Sequence, residues 1–146
     1  MDNILPLIGL ALRAGRLEVG EDASADACRL KRCRLLLLAS DAGDHAQRQA
    51  AFFAQEGQCL LAQLPASKEA LGAALGRKSC AMAALTDLGL AQAAADRLAQ
   101  IDPDRFGQLA ERLRLKARRA AQRKNKNTGN PGRTPGKPVQ YNRKKK

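Results

Sequence analysis

Few residues of this chain combine the type and the spacing that catalysis needs. His45, the single histidine, stands beside Asp44 in a stretch of helical character. A general base there would need a serine or cysteine nucleophile within hydrogen-bond reach, and no nucleophile motif lies near it. His45 is therefore expected on a helix surface. Asp41 follows the apolar run RLLLLAS of residues 34–40, where a phosphoacceptor of the receiver type would sit. That chemistry also asks for an acidic pair after the first strand and a lysine after the last, and neither stands out. Asp41 is expected instead to cap the helix that follows it. Gly9, Gly15 and Gly20 are spaced too widely for G-x-G-x-x-G, and no phosphate-binding G-x-x-x-x-G-K-[ST] occurs. Cys28, Cys33, Cys59 and Cys80 lack the close C-x-x-C pairing of zinc ribbons and thioredoxin motifs, so they read as reduced thiols packed in a cytoplasmic protein. No catalysis, cofactor or metal is expected.

Charge points elsewhere. The 146 residues carry a formal net charge of +12, and it is unevenly placed. Residues 1–100 are neutral overall, with 11 basic and 11 acidic side chains. The remaining 15 basic residues meet only Asp102, Asp104 and Glu111, and from Arg112 onward there is no acid at all. An acid-free cationic run binds polyphosphate by releasing counterions, without reading sequence. Arg112, Lys116, Arg119, Arg123 and Lys124 are the expected phosphate contacts, on RNA or, by charge alone, on DNA. Aromatic stacking platforms are scarce: Phe52 and Phe53 are expected in the core, Phe106 near the junction with the tail, and Tyr141 alone stands in the tail. That argues against a stacking reader of single strands.

The elements that must position these residues alternate. With 45% apolar but 3% aromatic residues, the core must be aliphatic and alanine-rich. A helix over residues 3–13, capped by Asn3 and stopped at Gly15, precedes a strand at 16–19 and a helix at about 22–31. Strands at 34–40, 59–64 and 80–85 alternate with helices at 41–56, 68–75 and from about Asp87 to Ala99. Short strands alternating with helices define an α/β layered domain. A new helix begins near Pro103 and grows steadily more basic, with a thin stripe of Leu109, Leu113 and Ala117. Residues 1–101 are expected to form the body, 102–124 a basic helical extension and 125–146 a disordered basic tail. No apolar run is long enough to span a membrane, and the N-terminus lacks the basic region of a signal peptide.

The order of L-x-G-L-A-x-R-A-G-R-L-x-x-G (residues 7–20), RLLLLASD (34–41), L-G-x-x-L-G-R-K (71–78) and AMAALTD (81–87) resembles the bacterial YlxQ-like branch of the L7Ae/L30e ribosomal-protein family, over residues 4–95. The resemblance implies a three-layer α-β-α sandwich around a four-stranded mixed sheet, RNA binding, often to kink-turn elements, and no catalysis. In that family the start of the second helix and the loop before the last core strand form the RNA surface. Relatives read G-x-N-E-x-x-K at that helix. Here Gly20 is kept, while Asp22, Ala23 and Asp26 replace the Asn, Glu and Lys, leaving Glu21, Asp22 and Asp26 to repel phosphate. Asp41 matches the acid after the second strand of relatives, and Arg77, Lys78 and Ser79 occupy the loop before the last strand. Arg13 and Arg16, flanking Gly15, are expected near the same end.

The resulting expectation is a monomeric, cytoplasmic, ribosome-associated RNA-binding protein, whose body reads the shape of rRNA or another structured RNA and whose tail supplies affinity. Two alternatives remain open: a protein-interaction module docked on rRNA by its tail, and a small enzyme or phosphoacceptor centred on Asp41 and His45.

Overall fold

The computed structural model describes residues 4–128, with side chains described through residue 122. The expected Asn3 cap, Tyr141 and the rest of the tail from residue 129 lie outside the described residues. Four strands, β1 (Leu17–Val19), β2 (Leu35–Leu38), β3 (Leu60–Gln63) and β4 (Met82–Leu85), form one sheet in the order β1-β4-β2-β3. The pair β2–β3 is parallel, and β4 runs antiparallel to both β1 and β2, so the sheet is mixed. Among the described residues, six helices surround it: α1 (Ile4–Arg13), α2 (Glu21–Arg29), α3 (Asp44–Gly57), α4 (Lys68–Ala74), α5 (Leu88–Ile101) and α6 (Pro103–Thr128).

Every residue of β2 and β4 is buried, because helices cover both faces of the sheet. Alternation along each strand sends Leu35, Leu37, Ala83 and Leu85 into one core with α1, α4, α5 and α6. Leu36, Leu38, Met82 and Ala84 enter the other, with α2 and α3. This is an α-β-α sandwich. Each fully buried leucine stabilises it by about 1.5–3 kcal/mol relative to exposure.

α6 is part of that sandwich. Phe106, Ala110 and Leu113 are buried in the same core as Ala91, Ala94, Ala95 and Leu98 of α5. The alanines let the two helices approach closely. The buried stripe is offset from the one expected, since Leu109 and Ala117 are only half-buried. The helix also continues through Thr128, into the segment expected to be disordered.

Register defines two ends of the sheet. At one, Leu38 pairs with Met82, and the Gly20 N–H donates to the Met82 carbonyl at 2.9 Å. At the other, Leu35 and Leu17 both pair with Leu85. There the Arg34 N–H donates to Leu85 at 2.6 Å and the Thr86 N–H to Arg16 at 3.0 Å.

Two sequence expectations change. Asp41 does not cap α3, whose N-cap is Gly43 without a side-chain bond. Asp41 Oδ1 instead accepts the Lys68 N–H at 2.8 Å, tying the end of β2 to the start of α4. Phe52 is 59% exposed while Phe53 is buried, because neighbours on a helix point about 100° apart and cannot share a core face.

Candidate nucleic-acid interface

The Gly20 end gathers most of the residues expected on the body. Gly20 caps α2 with φ +99°, a conformation that favours glycine, and its carbonyl accepts the Ser24 N–H at 3.0 Å. Glu21 and Asp22 occupy the first turn, where they complement the helix dipole and offset the positive potential that an anion would seek. Glu21 Oε2 lies 3.6 Å from His45 Nε2, joining the starts of α2 and α3. Ala23 is half-buried, Asp22 is exposed, and Asp26 is engaged by Arg29.

Arg77 and Ser79 join Gly20, Glu21 and Ala46 around a shallow cleft of ≈ 220 Å³. Arg77, Lys78 and Ser79 are all exposed. Their loop is held tightly: the Arg77 N–H donates to the Gly72 carbonyl at 2.8 Å and the Cys80 N–H to Lys68 at 3.0 Å. Gly72 has no room for a side chain, since a Cβ would fall 2.5 Å from the Ser79 Cα. Asp41, by holding the start of α4, acts on this loop through the scaffold.

Arg13 and Arg16 are not brought to this cleft. Arg16 precedes β1 and accepts from Thr86, so it lies at the Arg34 end, and Arg13 closes α1 just before it. Four residues of extended chain separate Arg16 from Gly20, roughly 13 Å. The expectation that they share an end fails because β1 must cross the sheet between them.

The Arg34 end is strongly basic. Lys31, Arg34, Lys116 and Arg119 line a cleft of ≈ 430 Å³ together with Gly57 and Gln58. α6 delivers two of these cations by running back along α5. It is fixed near the end of β3 by Arg105, whose guanidinium donates to the Gln63 carbonyl at 3.1 Å and lies 4.8 Å from the Phe106 ring centroid. Arg114 meets Asp96 at 3.0 Å and Glu111 at 3.3 Å. Lys116 Nζ then donates to the Gln58 carbonyl, 3.5 Å away. Arg112, Arg118 and Arg119 are exposed. Arg123 and Lys124 lie on the α6 backbone, and their side chains fall outside the described residues.

A cluster of thiols escaped sequence reasoning. The Sγ atoms of Cys28, Cys33 and Cys59 all lie within 4.8 Å of one another. Hydrogen bonding from Cys33 holds the Cys59 thiol down at about 7, with Cys28 and the Lys116 charge contributing, against opposing desolvation. Burial pushes Cys28 up to about 12, and the Cys33 thiol is raised by its bond to Cys59 and by burial. The β2–β3 pairing and the close packing of α2 on α3 at Gly57 unite residues so distant in sequence, and no local spacing signals either.

No protein-family model matches the chain, and no curated protein matches it. Among solved structures, it is similar to a protein of unknown function from Bacillus halodurans, at 27% identity and a TM-score of 0.61, over 66% of this chain and 97% of that one. It also shares its fold with the 15.5 kD RNA-binding protein of Giardia lamblia, at 16% identity and a TM-score of 0.53, over 68% of this chain and 84% of that one.

Proposed function

We propose that this protein binds structured RNA without catalysing a reaction. The observation that carries the reading is α6: a helix docked in the core by Phe106, Ala110 and Leu113 presents Arg112, Lys116, Arg118 and Arg119 on its solvent side. Beyond Glu111 no acid opposes them. Phosphate affinity of this kind is electrostatic and tolerant of sequence. The Gly20 end, with Arg77, Lys78 and Ser79 on a tightly held loop, then supplies a smaller surface that senses RNA shape. A fold shared with an RNA-binding protein of Giardia lamblia loosely supports RNA binding, as does the resemblance to the L7Ae/L30e family. On this reading the partner is rRNA or another structured RNA, met as a monomer on the cytoplasmic ribosome, with kink-turn recognition weakened by the acidic start of α2.

Salt dependence tests the reading. Truncation near residue 104 would remove core residues, so the cations are better neutralised in place. Full-length protein and the variant Arg112→Gln/Lys116→Gln/Arg118→Gln/Arg119→Gln are titrated onto a structured rRNA fragment at several salt concentrations. The log–log slope is expected to fall by about 3 in the variant. Arg77→Gln/Lys78→Gln is expected to lower affinity for structured RNA more than for a single-stranded control. An unchanged slope in the α6 variant would refute the assignment.

A further inference from the structure

The cysteine cluster lies outside the surface just assigned, and its local architecture is unusual. Cys28 ends the buried face of α2, Cys33 sits just before β2, and Cys59 just before β3. Two tight turns fold the latter pair inward. Lys31 and Gln58 are the two non-glycine residues with positive φ among the described residues, at 60° and 55°, and they flank the cluster from either side. After Lys31, the Arg32 and Cys33 N–H groups both donate to Ala27, at 2.8 and 3.2 Å, drawing Cys33 back over the end of α2. After Gln58, the Cys59 N–H donates to Ala54 at 3.0 Å, which returns Cys59 toward α2. Gly57 completes the approach, because a Cβ there would lie 2.9 Å from the Cys28 carbonyl oxygen. Left-handed conformations at non-glycine residues are strained. Here both place a thiol in the cluster.

The spacing suits a cation. Zinc–sulfur bonds of about 2.3 Å place tetrahedral ligands about 3.8 Å apart. Cys28 Sγ and Cys59 Sγ are already 3.9 Å apart, and the remaining sulfur separations stay within 4.8 Å. A disulfide would have to close the Cys28–Cys59 pair to about 2 Å. Three sulfurs within 4.8 Å of one another, one pair already near the ligand spacing and none established at bonding distance, favour a shared centre.

The surroundings match the charge of such a centre. Three thiolates around a divalent cation carry one net negative charge, and around a monovalent cation two. Lys31, Arg34, Lys116 and Arg119 line the cleft onto which Cys33 opens. Among the described residues, no His, Asp or Glu joins the three thiols as a fourth ligand. A tetrahedral Zn2+ held here would take its fourth ligand from solvent, whereas three thiolates would complete a trigonal shell around Cu+.

We propose that Cys28, Cys33 and Cys59 form a three-thiolate site for a soft d10 cation, Zn2+ or Cu+, with the basic cleft stabilising its negative charge. Binding displaces to solvent the protons that the three thiols still hold at the working pH and changes no oxidation state. Thiolate sets select these ions over hard cations. The three thiols are not among the proposed RNA contacts, although Lys116 and Arg119 of the cleft belong to both readings.

The test uses the full-length chain, reduced and handled without oxygen. Co2+ titration serves as the optical probe, followed by displacement with Zn2+ or with Cu+ delivered from a chromogenic chelator. One cation per chain is expected, with a thiolate-to-cobalt charge-transfer band, and displacement by either ion identifies which binds more tightly. Cys59→Ser is expected to weaken binding by more than about 100-fold. Cys80→Ser, whose thiol donates to the Met82 carbonyl at 3.2 Å, is expected to leave it unchanged. Native mass spectrometry of the unsubstituted chain keeps the test valid if Cys59→Ser misfolds. Failure to retain Zn2+ or Cu+ there, a charge-transfer band that survives Cys59→Ser, or a metal-free chain carrying a disulfide would each overturn the proposal.

Discussion

Replacing Leu113 by alanine asks whether α6 belongs to the folded body. Leu113 is 0% exposed and shares a core with Ala91, Ala94, Ala95 and Leu98 of α5. Leu→Ala removes the equivalent of three methylenes, or roughly 2.4 kcal/mol of transfer free energy at about 0.8 each. The facing residues are largely alanines, which cannot swing into the space, so a cavity term of about 1–2 kcal/mol adds to this. The expected loss is about 3.5–4.5 kcal/mol. Leu115, two positions along the same helix, is 41% exposed, and solvent fills what its truncation leaves. Leu115→Ala should cost below about 1 kcal/mol, helped by the higher helix propensity of alanine. Urea unfolding of the full-length chain reads both, as a lower midpoint at unchanged slope. Equal midpoints for the two variants, or a Leu113→Ala chain that unfolds like the parent, would refute the docked helix. The placement of Arg112, Lys116 and Arg119 would fall with it.

Three further outcomes are expected. Gly72→Ala must push the Ser79 backbone by about 1 Å, costing about 1–3 kcal/mol; thermal melting should show the loss, and RNA binding through Arg77–Ser79 should weaken beyond what partial unfolding explains. Ser24→Ala should stabilise the chain by about 1 kcal/mol in the same melt, since the Ser24 hydroxyl is fully buried without a hydrogen-bond partner among the described residues. In the reduced, metal-free chain, iodoacetamide should label Cys59 with a half-maximal rate near pH 7, while Cys28, fully buried and raised in pKa, should stay unlabelled in the folded protein. The Cys28 thiol is raised above its ordinary 9.0, so its contribution to stability is complete below pH 9.0 and lost as the pH rises through about 12.

The sheet was legible because strands buried on both faces must be continuously apolar, as the runs around Leu35–Leu38 and Met82–Leu85 are. The α6 core stripe was harder to read. Phe106, Ala110 and Leu113 make a narrow face on a helix crowded with arginine, and Leu109 competes as a plausible member. Asp41 looked like a cap because the following helix begins only three residues later, yet its carboxylate had a nearer donor across the sheet end, at Lys68. The thiol cluster was invisible in principle. Cys33 and Cys59 meet through parallel pairing of β2 with β3, and strand pairing is not encoded in any local spacing.

These placements alter how the net charge of +12 should act. The Gly20 end sets Arg77 and Lys78 against Glu21, Asp22, Asp41 and Asp44, so acids outnumber cations there and it does not draw phosphate from a distance. The Arg34 end combines Arg16, Lys31 and Arg34 with Lys116 and Arg119 from α6. Because α6 runs from the first end to the second, its early residues anchor the helix while its later ones add charge where the body is already basic. A polyphosphate chain would therefore be drawn first to the Arg34 end, with screening over about 8 Å at physiological salt keeping the two ends electrostatically separate. Contact with Arg77–Ser79 then depends on whether the RNA is folded compactly enough to span the body, roughly 13 Å along β1 alone. On this reading, affinity and shape selection sit on opposite ends of one sheet.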